Sequence, residues 1–497
     1  MSQLKALAGQ TAIYGLSSIL GRIINYFLVG LHTTVFLADE MGVVSELYGS
    51  VALMLIIVTF GMETTFFRFT TKEKGHTAYH TAATVVFVVT LLVALIISQY
   101  AGFFGRVIIG PVFTGKHYML MQLVAAIILI DGLTAIPFAK LRIENRPWYF
   151  ATAKIIAIVA NIVLQLLFLV VFPAISTGEY LAGLKPLVAT LYNPSLDIEY
   201  IFIANLLSNL LLFPLLAREF ITLRFRLNRQ TLRPMLKYTL PLVVTGIAGW
   251  FVSDMDKIVV AKWAADGLSN QGVYTQTFKL GALMMLAIQA FRYAAEPFFF
   301  SQSADRQAPA LFAKTLHYFV IFGLLLLLAV SVNIDWLAPI FLRKAEFRTA
   351  LYLVPIIMFG KLLYGVYINI SIWFKLKDKT IYGLYFTLIG AVTAILSNYL
   401  LLPRIGILGS AIAIVLSYLA MSIACYFTGR KFMPVPYKFL PLLGYAVIFM
   451  AMVAASFYIG FANPVLDIAF NLLLPVVVLV LVYRLEKKKI VQQVDEN

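Results

Sequence analysis

The residues with chemistry to offer are charged side chains set in otherwise apolar surroundings. In WFVSDMDKIVV (residues 250–260), Asp254, Asp256 and Lys257 fall within four consecutive positions. Arg22, Lys279, Arg292 and Lys361 stand in similar runs, as do the acids Glu63, Asp131 and Glu296. A charge at the centre of a lipid bilayer costs about 2.5–3.5 kcal/mol even on the lenient insertion scale, so each needs a partner, water or a ligand. Guanidinium and ammonium groups at depth suit an anion, whereas buried carboxyls suit a proton or a cation. No metal-ligand spacing links His32, His76, His80, His117 and His317, and no metal site is expected. The single Cys425 lies in an apolar run and reads as a small buried hydrophobe.

The elements that must carry these residues are membrane helices. Of the 497 residues, 61% are hydrophobic and 12% charged, and the mean hydropathy is +0.90. Runs such as AATVVFVVTLLVALIISQY and YFVIFGLLLLLAVSV approach the roughly 20 apolar residues that span a bilayer core. A membrane β-barrel would instead alternate in segments of about ten residues. The pattern predicts an all-α polytopic membrane protein with about fourteen spans, the first beginning near the amino terminus and uncleaved. Lys and Arg concentrate in the loops on the side of both termini, so both termini are expected in the cytoplasm. That asymmetry accounts for the net charge of +16, with anionic lipid as the partner and no nucleic acid implied.

Helical projection sorts the charges by face. In the first span Thr11, Gly15, Ser18, Arg22, Asn25 and His32 share roughly 100° of arc. In the seventh, expected over 237–263, Thr245, Gly249, Ser253 and Asp256 share about 80°. Lys257 lies just beyond that edge and Asp254 nearly opposite, spaced to pair with Lys257 at i, i+3. Lys257 can therefore serve as that partner or as a ligand for an anion. In the eighth span, 270–300, Thr275, Lys279, Gln289, Tyr293 and Glu296 form one broad face, and Arg292 is spaced to pair with Glu296. Lys361 is either an anion ligand or the partner of an acid such as Asp131. Lys154 lies early in its span, where snorkelling to the interface is the simpler reading, and Arg68 can equally snorkel or face the cavity.

A weak internal repeat relates the halves, the first span coinciding with the seventh at a shift of 224 residues. It gives an amino-terminal six-helix bundle (1–223), a basic linker (224–236), a second six-helix bundle (237–434) and a final helix pair with a basic tail (435–497). YGLSSILGRIINYFL, LYGSVALMLIIVTFGMETTFFRF and YTLPLVVTGIAGWFVSDMDKIVVAKW, followed by GVYTQTFKLGALMMLAIQAF, carry a family likeness. The chain resembles the polysaccharide-transporter, Wzx-like oligosaccharide flippase branch of the multidrug/oligosaccharidyl-lipid/polysaccharide (MOP) flippase superfamily.

The resemblance implies two bundles around a central cavity and a non-enzymatic transporter of the bacterial inner membrane. It would export an undecaprenyl-diphosphate-linked oligosaccharide, an O-antigen, capsule or exopolysaccharide repeat unit, by alternating access. The residues matching the cations that meet the lipid diphosphate are Arg22, Lys257, Lys279, Arg292 and Lys361. Asn25, Glu63, Arg68, Asp131, Asp256, Gln289 and Glu296 are the matching polar or coupling candidates. No cofactor is implied, and coupling to H+, Na+ or membrane potential is open. A monomer working beside glycan-polymerase machinery is expected. Competing readings are a peptidoglycan-precursor flippase, a cation-coupled multidrug exporter and a membrane glycan polymerase or ligase. The intramembrane cations argue against the exporter. The longest outer loop, which has no His or Arg, argues against the enzyme.

Overall fold

The computed structural model describes residues 24, 26–70, 75–265, 267–302, 305, 307–458 and 463–495. Every regular element among them is a helix, and eleven are long and apolar enough to cross a membrane. The chain divides into two compact units, Met1–Thr275 and Gln276–Asn497.

In the first unit the helices are α1 (Tyr26–Val35), α2 (Ala38–Thr59), α3 (Met62–Thr70), α4 (Gly75–Gln99), α5 (Ala101–Ile109), α6 (Tyr118–Ile143) and α7 (Pro147–Leu166). After a π-helical turn over Leu167–Val171 come α8 (Phe172–Thr177), α9 (Lys185–Leu191), α10 (Glu199–Leu210), α11 (Leu212–Leu215) and α12 (Ala217–Ile221). The unit is completed by α13 (Arg229–Ser253), α14 (Asp256–Trp263) and the first part of α15 (Gly267–Gly281). Helix α6 is central and packs against α2, α4, α7 and α10. Met62, Phe66, Tyr79, Val86, Ile136 and Met235 form an apolar core where α3, α4, α6 and α13 meet.

The expected second span is one apolar stretch with a break inside it. Phe60 and Gly61 both adopt left-handed backbone, which ends α2 and separates it from α3. The expected seventh span is likewise divided, because Asp254 leaves helical geometry. Its carboxylate takes the Ser253 hydroxyl and the Lys257 ammonium, and such local bonding competes with the backbone ladder. The projection over 237–263 assumed an unbroken helix and therefore does not carry across this point.

Small residues bring α2 onto α15. A Cβ at Gly272 would run into the Ala38 carbonyl, and one at Gly42 into that of Leu268. Neither obstacle is a flexible side chain, so Gly272→Ala is expected to cost about 1–3 kcal/mol, read as a lower Tm. Gly444→Ala is the matched control, since its added Cβ meets nothing within 4 Å.

Where α6, α7 and α12 meet, Glu219 is almost fully enclosed, with 1% of its surface exposed. Its Oε1 accepts from Arg146 at 2.8 Å, while Oε2 is buried with no hydrogen-bond partner. The Tyr79 hydroxyl donates to the Glu219 backbone carbonyl at 2.8 Å.

The second unit holds the end of α15 with α16 (Leu283–Gln302), α17 (Ala308–Val332), α18 (Ile334–Phe341), α19 (Leu353–Ile370) and α20 (Ile372–Leu376). It continues with α21 (Ile381–Ile405), α22 (Ile407–Gly429), α23 (Phe439–Ser456) and α24 (Pro464–Asp495). Here α19 packs against α16, α17 and α22, and α23 and α24 each pack on α17. The expected eighth span is divided at Ala282, between α15 and α16. The buried Glu486 carboxylate ties α24 inward, meeting His317 at 2.9 Å and the Tyr445 hydroxyl at 2.7 Å.

Candidate functional site

A cavity of about 660 Å3 lies inside the first unit, walled by α2, α3, α6, α7, α10 and α11. It is unusual for a membrane bundle in holding two acids, two cations and several amides. Glu63 enters because the Phe60–Gly61 turn starts α3 one residue earlier, which places its carboxylate in the first turn. It forms an ion pair with Arg142, whose guanidinium also lies 4.9 Å from the centre of the Phe67 ring. Both side chains remain more than one-third exposed, so water screens the pair.

Deeper in, Asp131 projects from the middle of α6. Its Oδ1 accepts from Asn209 Nδ2 at 2.8 Å, and that amide also donates to Asn205 Oδ1 at 2.9 Å. Asn205 in turn donates to the Tyr48 hydroxyl at 3.0 Å. Asn205 and Asn209 are one helical turn apart on α10, which aims both at α6. Lys154 lines the same space with its ammonium 4.2 Å from the centre of the Phe138 ring. On α7, Asn161 accepts from Gln165 at 2.5 Å, and Gln165 Oε1 lies 2.6 Å from His32 Nε2. A polar chain thus runs from α1 through α7 to the cavity wall. Such a chamber can hold water and pass protons or small ions between side chains without exposing backbone to lipid.

The structure places the other sequence candidates elsewhere. Arg22 and Asn25 lie outside the described residues, as does the Glu296 side chain. Lys257 contacts Asp254, the i, i+3 pairing its spacing allowed. Asp256, buried in the first turn of α14, accepts the Tyr274 hydroxyl at 2.8 Å and the Lys257 backbone N–H at 2.9 Å. Arg68 lies 4.3 Å from the Tyr238 ring centre. In the second unit, Lys279 donates to Gln276 at 3.0 Å, Gln289 is half-buried, and Arg292 Nε is buried without a hydrogen-bond partner. Lys361, only 4% exposed, sits on α19 with its ammonium 4.7 Å from the Phe278 ring centre and 5.5 Å from that of Tyr418.

Glu63 and Asp131 are thus brought to one cavity. Its remaining members, Arg142, Lys154, Asn161, Asn205 and Asn209, were not singled out as ligands. The readable signal for the amides was their i, i+4 spacing inside apolar spans: Asn161 with Gln165, and Asn205 with Asn209.

No family model matches the chain, and no curated protein matches it. Solved structures do. The lipid II flippase MurJ, in an inward closed conformation, aligns with a TM-score of 0.71 at 15% identity, covering 95% of this chain and 98% of its own. An inward-facing multidrug-resistance MATE transporter of the MOP superfamily aligns with a TM-score of 0.63 at 14% identity, covering 85% and 94%. A MOP superfamily transporter from Pyrococcus furiosus, titled for the reverse polarity of its binding pocket, gives 0.57 at 15% identity, covering 87% and 98%. The chain is an all-helical, multi-pass protein with the fold of MOP superfamily transporters.

Proposed function

We propose that this protein is a flippase that moves a polyprenyl-diphosphate-linked glycan across a bacterial inner membrane by alternating access. The observation that carries the reading is the extent of the likeness to MurJ. That alignment takes in nearly all of both chains, whereas the MATE alignment nearly exhausts its own chain and leaves 15% of this one uncovered. Intramembrane cations support the same reading, since Lys257, Lys279, Arg292 and Lys361, with Arg22, suit a diphosphate better than a cationic drug. The glycan is read as a polysaccharide repeat unit. The MurJ likeness favours a second reading, a peptidoglycan precursor of the lipid II kind. Glu63, Asp131 and Asp256 are the proposed coupling acids, since protonation or cation binding shifts a conformational balance when affinity differs between its states.

The test is reconstitution in vesicles with a fluorescent lipid-diphosphate glycan, scored by loss of access to an enzyme added outside. A repeat-unit lipid and a lipid II analogue, run in parallel, separate the two readings. The wild type is expected to move one of them above the protein-free background. Arg22→Ala, Lys257→Ala and Lys279→Ala are each expected to lower the rate about ten-fold, the worth of one charge-assisted hydrogen bond. Unchanged rates in all three folded variants would remove the anion-binding role, and chain growth of the glycan would indicate an enzyme.

A further inference from the structure

One buried acid stands apart from the cavity and from the candidates above. Glu46 lies on α2 about two turns inside Ala38, with 1% of its surface exposed. Both carboxyl oxygens are buried, and neither has a hydrogen-bond partner. Its surroundings are closed by close helix packing. One turn outward, Gly42 lies against the Leu268 backbone. One turn inward, a Cβ at Gly49 would meet Lys257 Cβ at 3.2 Å and Ile258 Cγ1 at 3.3 Å.

The charged groups on the helices packed against α2 are mostly engaged elsewhere. On α14, Asp256 takes the Tyr274 hydroxyl. On α13, Arg229, Arg233 and Lys237 are exposed, and Asp254, just beyond its end, takes Lys257. On α6, Asp131 takes Asn209. Helix α5 offers Arg106, which is exposed, and α4 offers His80, which accepts the Arg224 N–H near the opposite end of the unit. The charge that acts on Glu46 is Lys262, in the last turn of α14. Its ammonium donates to the Val107 carbonyl at 2.8 Å and so ties α14 to α5.

Two enclosed carboxyl oxygens with no donor are the arrangement of a neutral acid. An ionised carboxylate there would forfeit its hydration with no hydrogen bond in exchange. We propose that Glu46 is a proton-binding site, neutral in this conformation. The step balances. The carboxyl O–H bond breaks, the proton passes to water, and the charge left behind is offset in part by the field of the Lys262 ammonium. The inference concerns the protein's own proton and does not require that the transport reading be right.

The experiment is infrared difference spectroscopy on the purified full chain in lipid nanodiscs, stepped from low to high pH. The wild type should show the C=O stretch of a neutral, unbonded carboxyl that disappears as pH rises. In Glu46→Gln, which keeps the shape, that band should be lost. In Lys262→Gln, on the exposed surface, the band should disappear at higher pH, because removing a cation beside an acid disfavours ionisation. A wild-type spectrum without the band, a band unchanged in Glu46→Gln, or no upward shift in Lys262→Gln would each overturn the assignment.

Discussion

On the proposed flippase reading, Lys361→Met is expected to lower glycan transport about ten-fold or more while changing folding stability by no more than about 1 kcal/mol. Methionine keeps the length of the side chain and removes its charge. An ammonium at the depth of α19 carries a desolvation cost of about 2.5–3.5 kcal/mol. The Phe278 and Tyr418 rings return about 2 kcal/mol of that through the cation–π attraction. On the proposed flippase reading the charge serves the cargo, a diphosphate being the ligand such a cation suits. Paired measurements of vesicle transport and thermal unfolding decide the matter. Retained transport with a lowered Tm would make Lys361 a structural residue.

The second large effect falls on stability. Arg146→Ala should destabilise the first unit by about 3–5 kcal/mol, because it strips the Glu219 carboxylate of its guanidinium inside a nearly closed site. Oε2 of Glu219 already lacks a hydrogen-bond partner, so no second contact takes up the loss. Glu219→Gln should cost less, and combining it with Arg146→Ala should recover much of the single-variant loss, since no naked charge then remains. Thermal unfolding in nanodiscs reads all three. An additive double variant would show that the pair is not coupled.

Much of the architecture could be read from apolar run length, because a membrane leaves helices few alternatives. Eleven of the expected spans coincide with helices long and apolar enough to cross. The first falls largely outside the described residues, the sixth on the shorter Glu199–Leu215, and the eighth on α15 and α16. Projection failed where helices broke. Asp254 and the Phe60–Gly61 turn interrupt the helix inside apolar runs that composition alone treats as continuous.

For the cavity, single intramembrane acids were visible, and Glu63 and Asp131 both line it. Apolar run length alone ends the fourth span, 117–140, before Arg142 and leaves that residue in a loop, whereas α6 continues to Ile143 and carries Arg142 onto Glu63. Lys154 was expected to snorkel, but the Phe138 face holds its ammonium at the cavity wall. Glu46 stood near the expected start of a span, where an acid attracts no notice. Its burial depends on Gly42 and Gly49 letting other helices close over it, and sequence spacing does not report that.

The make-up of the cavity has an electrical consequence. Glu63 and Asp131 carry two negative charges in their ordinary states, and Arg142 and Lys154 carry two positive. Each uncompensated unit charge carried across a membrane does about 2.3 kcal/mol of work per 100 mV. A chamber whose charges cancel does none, however far the first unit moves in the field. On the proposed transport reading, any current that accompanies a turnover is then carried by the cargo, by a proton or cation taken up at an acid such as Glu46 or the proposed coupling acids Glu63, Asp131 and Asp256, or by cations elsewhere such as Lys361, so the charge per cycle narrows which of them moves.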